Sequence, residues 1–244
     1  MWLLNTETLR LEMLNDTEAQ KVSDKAGWAK LSDFCTQARK YNLFYAWIDT
    51  CCIDKRSSAE LSEAINSMYR YYYNASTCFV YLEDVPGGDV HGYAGDVSPE
   101  IREQEFSSVC RTRWLSRGWT LQELVAPARR CFFAGDWSVI AGGDDLLDAL
   151  AATTKIDRGL LQNRDLLPGF CVAERMSWAA KRQTTRQEDV AYSLMGLFGV
   201  QMPVVYGEGA RNAFKRLQLE IMQSSFHVTL FAWRGRLREQ RPPA

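Results

Sequence analysis

Leu43-Phe44-Tyr45-Ala46-Trp47-Ile48, then Ser57 to Asn74, then Cys78-Phe79-Val80-Tyr81-Leu82 is the stretch that decides the fold. The first and last segments are compact apolar and aromatic runs of strand length, and both suit strands buried on two faces. Between them Leu61, Ala64, Ile65, Met68 and Tyr72 recur at helical spacing, and Ser57 with Glu60 fits a capping box. Asn74 closes the helix. Strand, helix and strand in that order predict a right-handed parallel crossover, hence an α/β chain.

Outward from this unit the pattern continues. Gly27 to Lys40 reads as a helix, with Trp28, Leu31, Phe34, Cys35 and Ala38 on one face. Leu3 to Leu14 alternates irregularly and fits an edge strand or a loop, and Gly- and Asp-rich Pro86 to Pro99 reads as a loop. Arg113 to Ala126 is helical in pattern and Pro127 stops it. Cys131-Phe132-Phe133-Ala134, turned by Gly135-Asp136 into Trp137-Ser138-Val139-Ile140, predicts a strand pair or strand-turn. From Asp144 the chain is mostly helical, clearest over Glu188 to Phe198 and Gly209 to Gln223, where Ala213, Phe214, Leu217 and Ile221 are in register. Residues 234–244 form a polar, basic, proline-terminated tail.

Bulk properties exclude several classes. The chain has 244 residues, with 29 Lys+Arg against 30 Asp+Glu. That balance implies no basic face for nucleic acid. The most apolar run, Ser193 to Val205, is cut by Gly196, Gly199, Gln201 and Pro203, so no membrane span is expected. Seven cysteines, an odd number with no C-x-x-C pair, argue against a disulfide framework, and His91 and His227 alone do not make a zinc site. No metal is expected. Buried thiols of a reducing, cytoplasmic environment are the simplest account. Cys51 and Cys52 lie in an extended-looking run, which would point them to opposite faces.

One motif carries chemistry. In Arg117-Gly118-Trp119-Thr120-Leu121-Gln122-Glu123, Trp119 and Glu123 are four residues apart, which places both on one helical face. An indole offers a flat apolar wall, and a carboxylate beside it can stabilise positive charge on a sugar. Asp49 and Asp54 follow the strand through Trp47, where ligands of parallel sheets bind. Arg117 suits a diphosphate. Each has a plainer reading: Asp49 caps a turn, Glu123 is a solvated helix residue, and Arg117 forms a surface ion pair.

Three blocks together resemble the fungal heterokaryon incompatibility (HET) domain. They are Tyr45-Ala46-Trp47-Ile48-Asp49-Thr50-Cys51-Cys52-Ile53-Asp54-Lys55, continuing to Tyr81-Leu82-Glu83-Asp84-Val85; Arg113-Trp114-Leu115-Ser116-Arg117-Gly118-Trp119-Thr120-Leu121-Gln122-Glu123-Leu124; and Arg175-Met176-Ser177-Trp178-Ala179 through Glu188-Asp189 to Tyr206-Gly207-Glu208-Gly209. The resemblance implies a HET domain over 1–233, with an α/β core to about residue 140 and a helical part over 141–233. It implies a TIR/flavodoxin-like parallel sheet with flanking helices, and a role in programmed cell death after non-self recognition. Many TIR domains cleave NAD at the nicotinamide–ribose bond with the Glu of a W-x-x-x-E helix. By that resemblance Glu123 is the catalytic residue, Trp119, Asp49, Asp54 and Arg117 are binding residues, and NAD is a substrate rather than a tightly bound cofactor. The implied partners are further copies or other incompatibility and NLR-type proteins. A non-catalytic interaction module is the alternative.

The chain departs from the family in one respect. A segment resembling P-Y-A-I-L-S-H-T-W-G, the family's first core strand, is expected before the first block. Asn15-Asp16-Thr17-Glu18-Ala19-Gln20 instead passes almost directly into the helix at Gly27. With that first core strand missing, a truncated, inactive family member is the third expectation.

Overall fold

The computed structural model describes residues 4–5, 26–87, 106–140 and 143–224. It divides into two compact units, Met1–Ala64 and Ile65–Ala244. The chain is mixed α/β and mostly helical.

In the first unit, strand β1 (Leu4–Asn5) pairs antiparallel with β2 (Tyr45–Ala46). Helix α1 (Ala26–Lys40) matches the periodicity of its sequence, and its Cys35 packs with Cys52 in a small core flanked by Leu31, Phe34, Trp47 and Ile48. After β2 the chain does not continue as a strand. The amides of Cys51 and Cys52 both donate to the carbonyl of Ile48, at 3.2 and 2.8 Å, which closes a tight turn. Helix α2 (Ser58–Asn74), which belongs to the second unit from Ile65 onward, begins at the expected cap, where the amide of Glu60 donates to Ser57 Oγ at 3.2 Å. The reciprocal arm differs: Glu60 Oε1 accepts from the amide of Asp54 at 2.9 Å and so fastens the preceding loop.

In the second unit, β3 (Cys78–Tyr81) pairs in parallel with β4 (Arg130–Phe133), from Cys78 opposite Arg130 to Tyr81 opposite Phe133. Beyond β4 the chain turns at Gly135. Phe133 bridges Val139 antiparallel, and Trp137 stacks on Tyr81 with centroids 4.5 Å apart. Helices α3 (Thr120–Val125), α4 (Gly143–Thr154), α5 (Arg158–Gln162), α6 (Val172–Ala179), α7 (Asp189–Tyr192), α8 (Met195–Phe198) and α9 (Ala210–Ser224) make up the rest, with 3-10 turns at Arg113–Ser116 and Arg164–Gly169. Leu121, Leu124, Phe133, Leu150, Leu160, Tyr192, Met195 and Leu217 form its buried interior.

Four expectations are corrected. The parallel partner of β3 is β4, while β2 pairs with β1, so each described sheet has two strands instead of one sheet running through both apolar segments. Phe44 and Tyr45 stand exposed, so β2 is not covered on both faces. The continuous helix expected over Arg113 to Ala126 breaks at Arg117-Gly118, which bridges Gln183 in strand fashion. Glu188 to Phe198 likewise divides into α7 and α8, since Ser193 and Leu194 only cap the two helices. Residues 15–20, where the family's first core strand is expected, most of the loop from Pro86 to Pro99, the tail 234–244, His91 and His227 lie outside the described residues.

Gly196 on α8 has a strict packing role. A Cβ there would sit 2.1 Å from Tyr69 Cβ on α2, a contact no rotamer change relieves. Gly196→Ala should therefore destabilise the fold by about 1–3 kcal/mol, measured as a lowered urea midpoint. Gly169→Ala, with nothing within 4 Å of the added carbon, should stay within about 0.5 kcal/mol of wild type.

Candidate functional site

The short helix α3 sits between two hydrogen-bonded clusters, and its start is set by backbone geometry. The amide of Gly118 donates to the carbonyl of Gln183 at 2.7 Å, and the amide of Gln183 to that of Ser116 at 2.6 Å. A Cβ on Gly118 would lie 2.5 Å from Thr184 Cγ2, so only glycine permits this approach. Trp119 is the N-cap residue and Pro127 follows the C-cap, which leaves six helical residues. A helix so short is unstable alone. Its neighbours hold it. Buried Gln122 donates Nε2 to the carbonyl of Ser193 at 2.7 Å, and Arg182 Nη1 donates to the carbonyl of Arg117 and to Thr120 Oγ1, both at 2.9 Å.

Trp119 and Glu123 do not share partners. Glu123 Oε2 accepts from the indole Nε1 of Trp114 at 2.9 Å, and Oε1 accepts from the hydroxyl of Tyr72 at 3.3 Å. Trp119 Nε1 donates to Asp189 Oδ2 at 3.0 Å, and Asp189 Oδ1 accepts from the hydroxyl of Tyr206 at 3.0 Å. The same arrangement thus occurs twice around α3: a carboxylate bridging an indole N–H and a phenol O–H. The two carboxylates differ in burial. Asp189 is 8% exposed, whereas Glu123 is half-buried.

Electrostatics follow that difference. Burial raises the Asp189 carboxyl above its ordinary value, and the Trp119, Tyr206 and Arg186 groups only partly offset it. Burial also acts on Glu188, but amide donors outweigh it and lower its carboxyl, among them Gly207 at 2.8 Å and Gly209 at 3.0 Å. These two glycines have φ of +100° and +78°, a conformation that turns both amides toward Glu188. The anion-accepting end of Tyr206-Gly207-Glu208-Gly209 is therefore occupied by the chain's own carboxylate. Arg182, buried by α3, is drawn down to about 10 by desolvation, against the field of Glu123.

Arg117 is exposed, and its carbonyl rather than its side chain serves α3, accepting from Thr120 Oγ1 at 2.8 Å. Asp49 and Asp54 belong to the first unit. Asp49 pairs with Lys55 at 3.6 Å between two exposed side chains. Asp54 accepts from the amide of Arg56 at 3.0 Å and binds its guanidinium with both oxygens, which lowers the carboxyl. The turn-capping role weighed for Asp49 thus belongs to Asp54. Trp114, Tyr72, Asp189, Tyr206 and Arg182 were not among the expected site residues. Their signal was present only as membership of the recurring blocks, because partners 51, 70 and 17 positions apart leave no local spacing. Among the described residues no group of three His, Cys, Asp or Glu could hold a metal, and no helix is long and apolar enough to cross a membrane.

The family model described as heterokaryon incompatibility protein (HET) matches residues 14–94. The vegetative incompatibility protein HET-E-1 of Podospora anserina is 40% identical over 206 residues, 84% of this chain. The chain belongs to the HET family. It spans 15% of the length of that relative. No solved structure matches it. Within this HET domain, the second and third sequence blocks meet at the Trp119–Asp189–Tyr206 bridge.

The neighbours Glu188 and Asp189 should act oppositely with pH. Below about pH 3.9 Asp189 is protonated in both folded and unfolded chains. As pH rises, the unfolded chain releases its proton first, so stability is lost through the raised folded value. Asp189→Asn should therefore gain relative to wild type between about pH 3.5 and 7. Glu188→Gln should lose more at pH 7 than at pH 4, because a lowered carboxyl contributes stability only above about 4.3. Urea unfolding of both variants across that range checks the two signs.

Proposed function

We propose that this HET domain acts in vegetative incompatibility as a cytoplasmic cell-death effector that hydrolyses NAD at the nicotinamide–ribose bond, with Glu123 as the acting carboxylate. The observation that carries the reading is the orientation of Glu123. Its two oxygens are set by Trp114 and Tyr72 on a helix whose start is clamped by the Trp119–Asp189 bridge, yet the side chain remains half-exposed. A carboxylate fixed in advance meets developing positive charge without reorganising. The vegetative incompatibility name of the similar protein supports the biological setting. The resemblance of Trp119 and Glu123 to the W-x-x-x-E helix of TIR domains supports the chemistry by analogy.

In that reaction the bond between ribose C1′ and the nicotinamide ring nitrogen breaks, and its electron pair leaves with nicotinamide. Glu123 stabilises the oxocarbenium-like ribosyl group and binds its hydroxyls, as carboxylates do in glycoside cleavage. Water adds to C1′ and loses a proton, giving ADP-ribose. Trp119 lines the nicotinamide side, and Arg117 faces the diphosphate. Activation follows association of the domain with further copies or with other incompatibility and NLR-type proteins.

A second reading has its own observation. Both Glu123 oxygens already accept from ring donors, as expected of a structural clamp in a non-catalytic interaction module. Incubation of the protein with NAD, followed by chromatography of released nicotinamide, separates the two. Glu123→Gln keeps one oxygen for Trp114 and can donate its amide to Tyr72, so the fold should persist. Catalysis predicts that this variant releases nicotinamide about 10²- to 10³-fold more slowly. Intact NAD at high wild-type concentration, with death signalling unchanged in Glu123→Gln, would leave the module reading standing.

A further inference from the structure

All seven cysteines are free thiols, and two of them form a pair that the chemistry proposed for Glu123 does not use. The turn that follows β2 brings adjacent Cys51 and Cys52 to the same side, with Sγ atoms 3.8 Å apart. In an extended strand these side chains would have pointed apart. The turn depends on one acceptor, the carbonyl of Ile48, which takes both cysteine amides and lies 3.7 Å from Cys51 Sγ. Cys52 Sγ accepts from the amide of Ile48 at 3.4 Å. Cys35 packs against Cys52 from α1 but is wholly buried, and Cys51 is the half-exposed member.

We propose that Cys51 and Cys52 are a vicinal dithiol that hydrogen peroxide oxidises to a disulfide, a reversible redox modification site in the turn after β2. The two sulfurs have unequal roles. Cys51 holds its proton well above the ordinary thiol range, first because of its hydrogen bond with Cys52 and then through burial. The amide of Ile48 directed at Cys52 Sγ favours its thiolate, so Cys52 is the sulfur that attacks. Its thiolate displaces hydroxide from peroxide as the O–O bond breaks, giving a sulfenic acid. Cys51 then attacks that sulfur, the S–S bond forms, and the hydroxyl leaves as water with the Cys51 proton. Two thiols and one peroxide yield one disulfide and two waters, and two electrons pass from sulfur to oxygen.

This inference is independent of NAD cleavage and is tested on the full chain. The reduced protein is treated with graded hydrogen peroxide, quenched with catalase, alkylated, digested and read by mass spectrometry. The expected product is the Cys51–Cys52 peptide two mass units light and unalkylated, restored by dithiothreitol, while Cys78, whose thiol burial raises well above its ordinary value, stays reduced. Cys51→Ser should accumulate a sulfenic acid at Cys52 that dimedone traps, and Cys52→Ser should leave Cys51 unmodified at the same dose. Alkylation of Cys51 and Cys52 equal to that of Cys78 after peroxide would overturn the proposal. So would a link from Cys35 to Cys52, or a sulfinic acid at Cys51 without any link.

Discussion

The second unit depends on a carboxylate placed where a carboxylate is costly. Asp189 is buried, and a buried charge is tolerated only when its oxygens are matched by donors. Trp119 and Tyr206 supply one each, and the guanidinium of Arg186 lies 3.9 Å over the Tyr206 ring. The bridge ties the start of α3 to α7 and to the loop before α9, segments that nothing local in the sequence would bring together. Removing either donor leaves Asp189 with an unmatched oxygen, and removing Asp189 leaves an indole N–H without its acceptor, a loss of about 1–3 kcal/mol in general. The six residues of α3 contribute too little helical stability to survive that loss alone.

Long-period features were legible in the sequence. Helices α1, α2 and α9 follow from apolar residues at 3.6-residue spacing, and Asn74 and Pro127 mark real ends, because periodicity and capping are local properties. The turn at Gly135 between β4 and Val139 was legible for the same reason. The pairing of strands was not. An apolar run announces a strand but not its partner, and Leu43 to Ile48 and Cys78 to Leu82 look alike while pairing in different sheets with different polarity. The break at Gly118 was hidden because it depends on Gln183 and Thr184, 65 or more positions away.

The candidate site was legible in its residues and not in its wiring. W-x-x-x-E correctly locates α3 and its two polar side chains, but helical spacing alone suggested that Trp119 and Glu123 face one another as a pair. The structure gives each its own partner, Trp119 with Asp189 from the third block and Glu123 with Trp114 from its own block. Cys51 and Cys52 illustrate the same limit. Their relative direction depends on whether the backbone is extended or turned, and the Ile48 carbonyl decides that by accepting from both amides.

The two indole–carboxylate–phenol bridges also differ in the access they leave to their acids, a criterion independent of the family pattern. Donor identity is the same in both, so it cannot distinguish them. Burial does. Asp189, withdrawn from solvent and raised by that withdrawal, has its charge committed to Trp119 and Tyr206. Glu123 is half-buried and sits in the field of the Arg182 guanidinium, whose own N–H groups are engaged with Thr120 and with the carbonyls of Arg117 and Trp178. An acid that must meet a sugar needs a fixed direction together with access. Within this pair the geometry gives both to Glu123, and to Asp189 only the first.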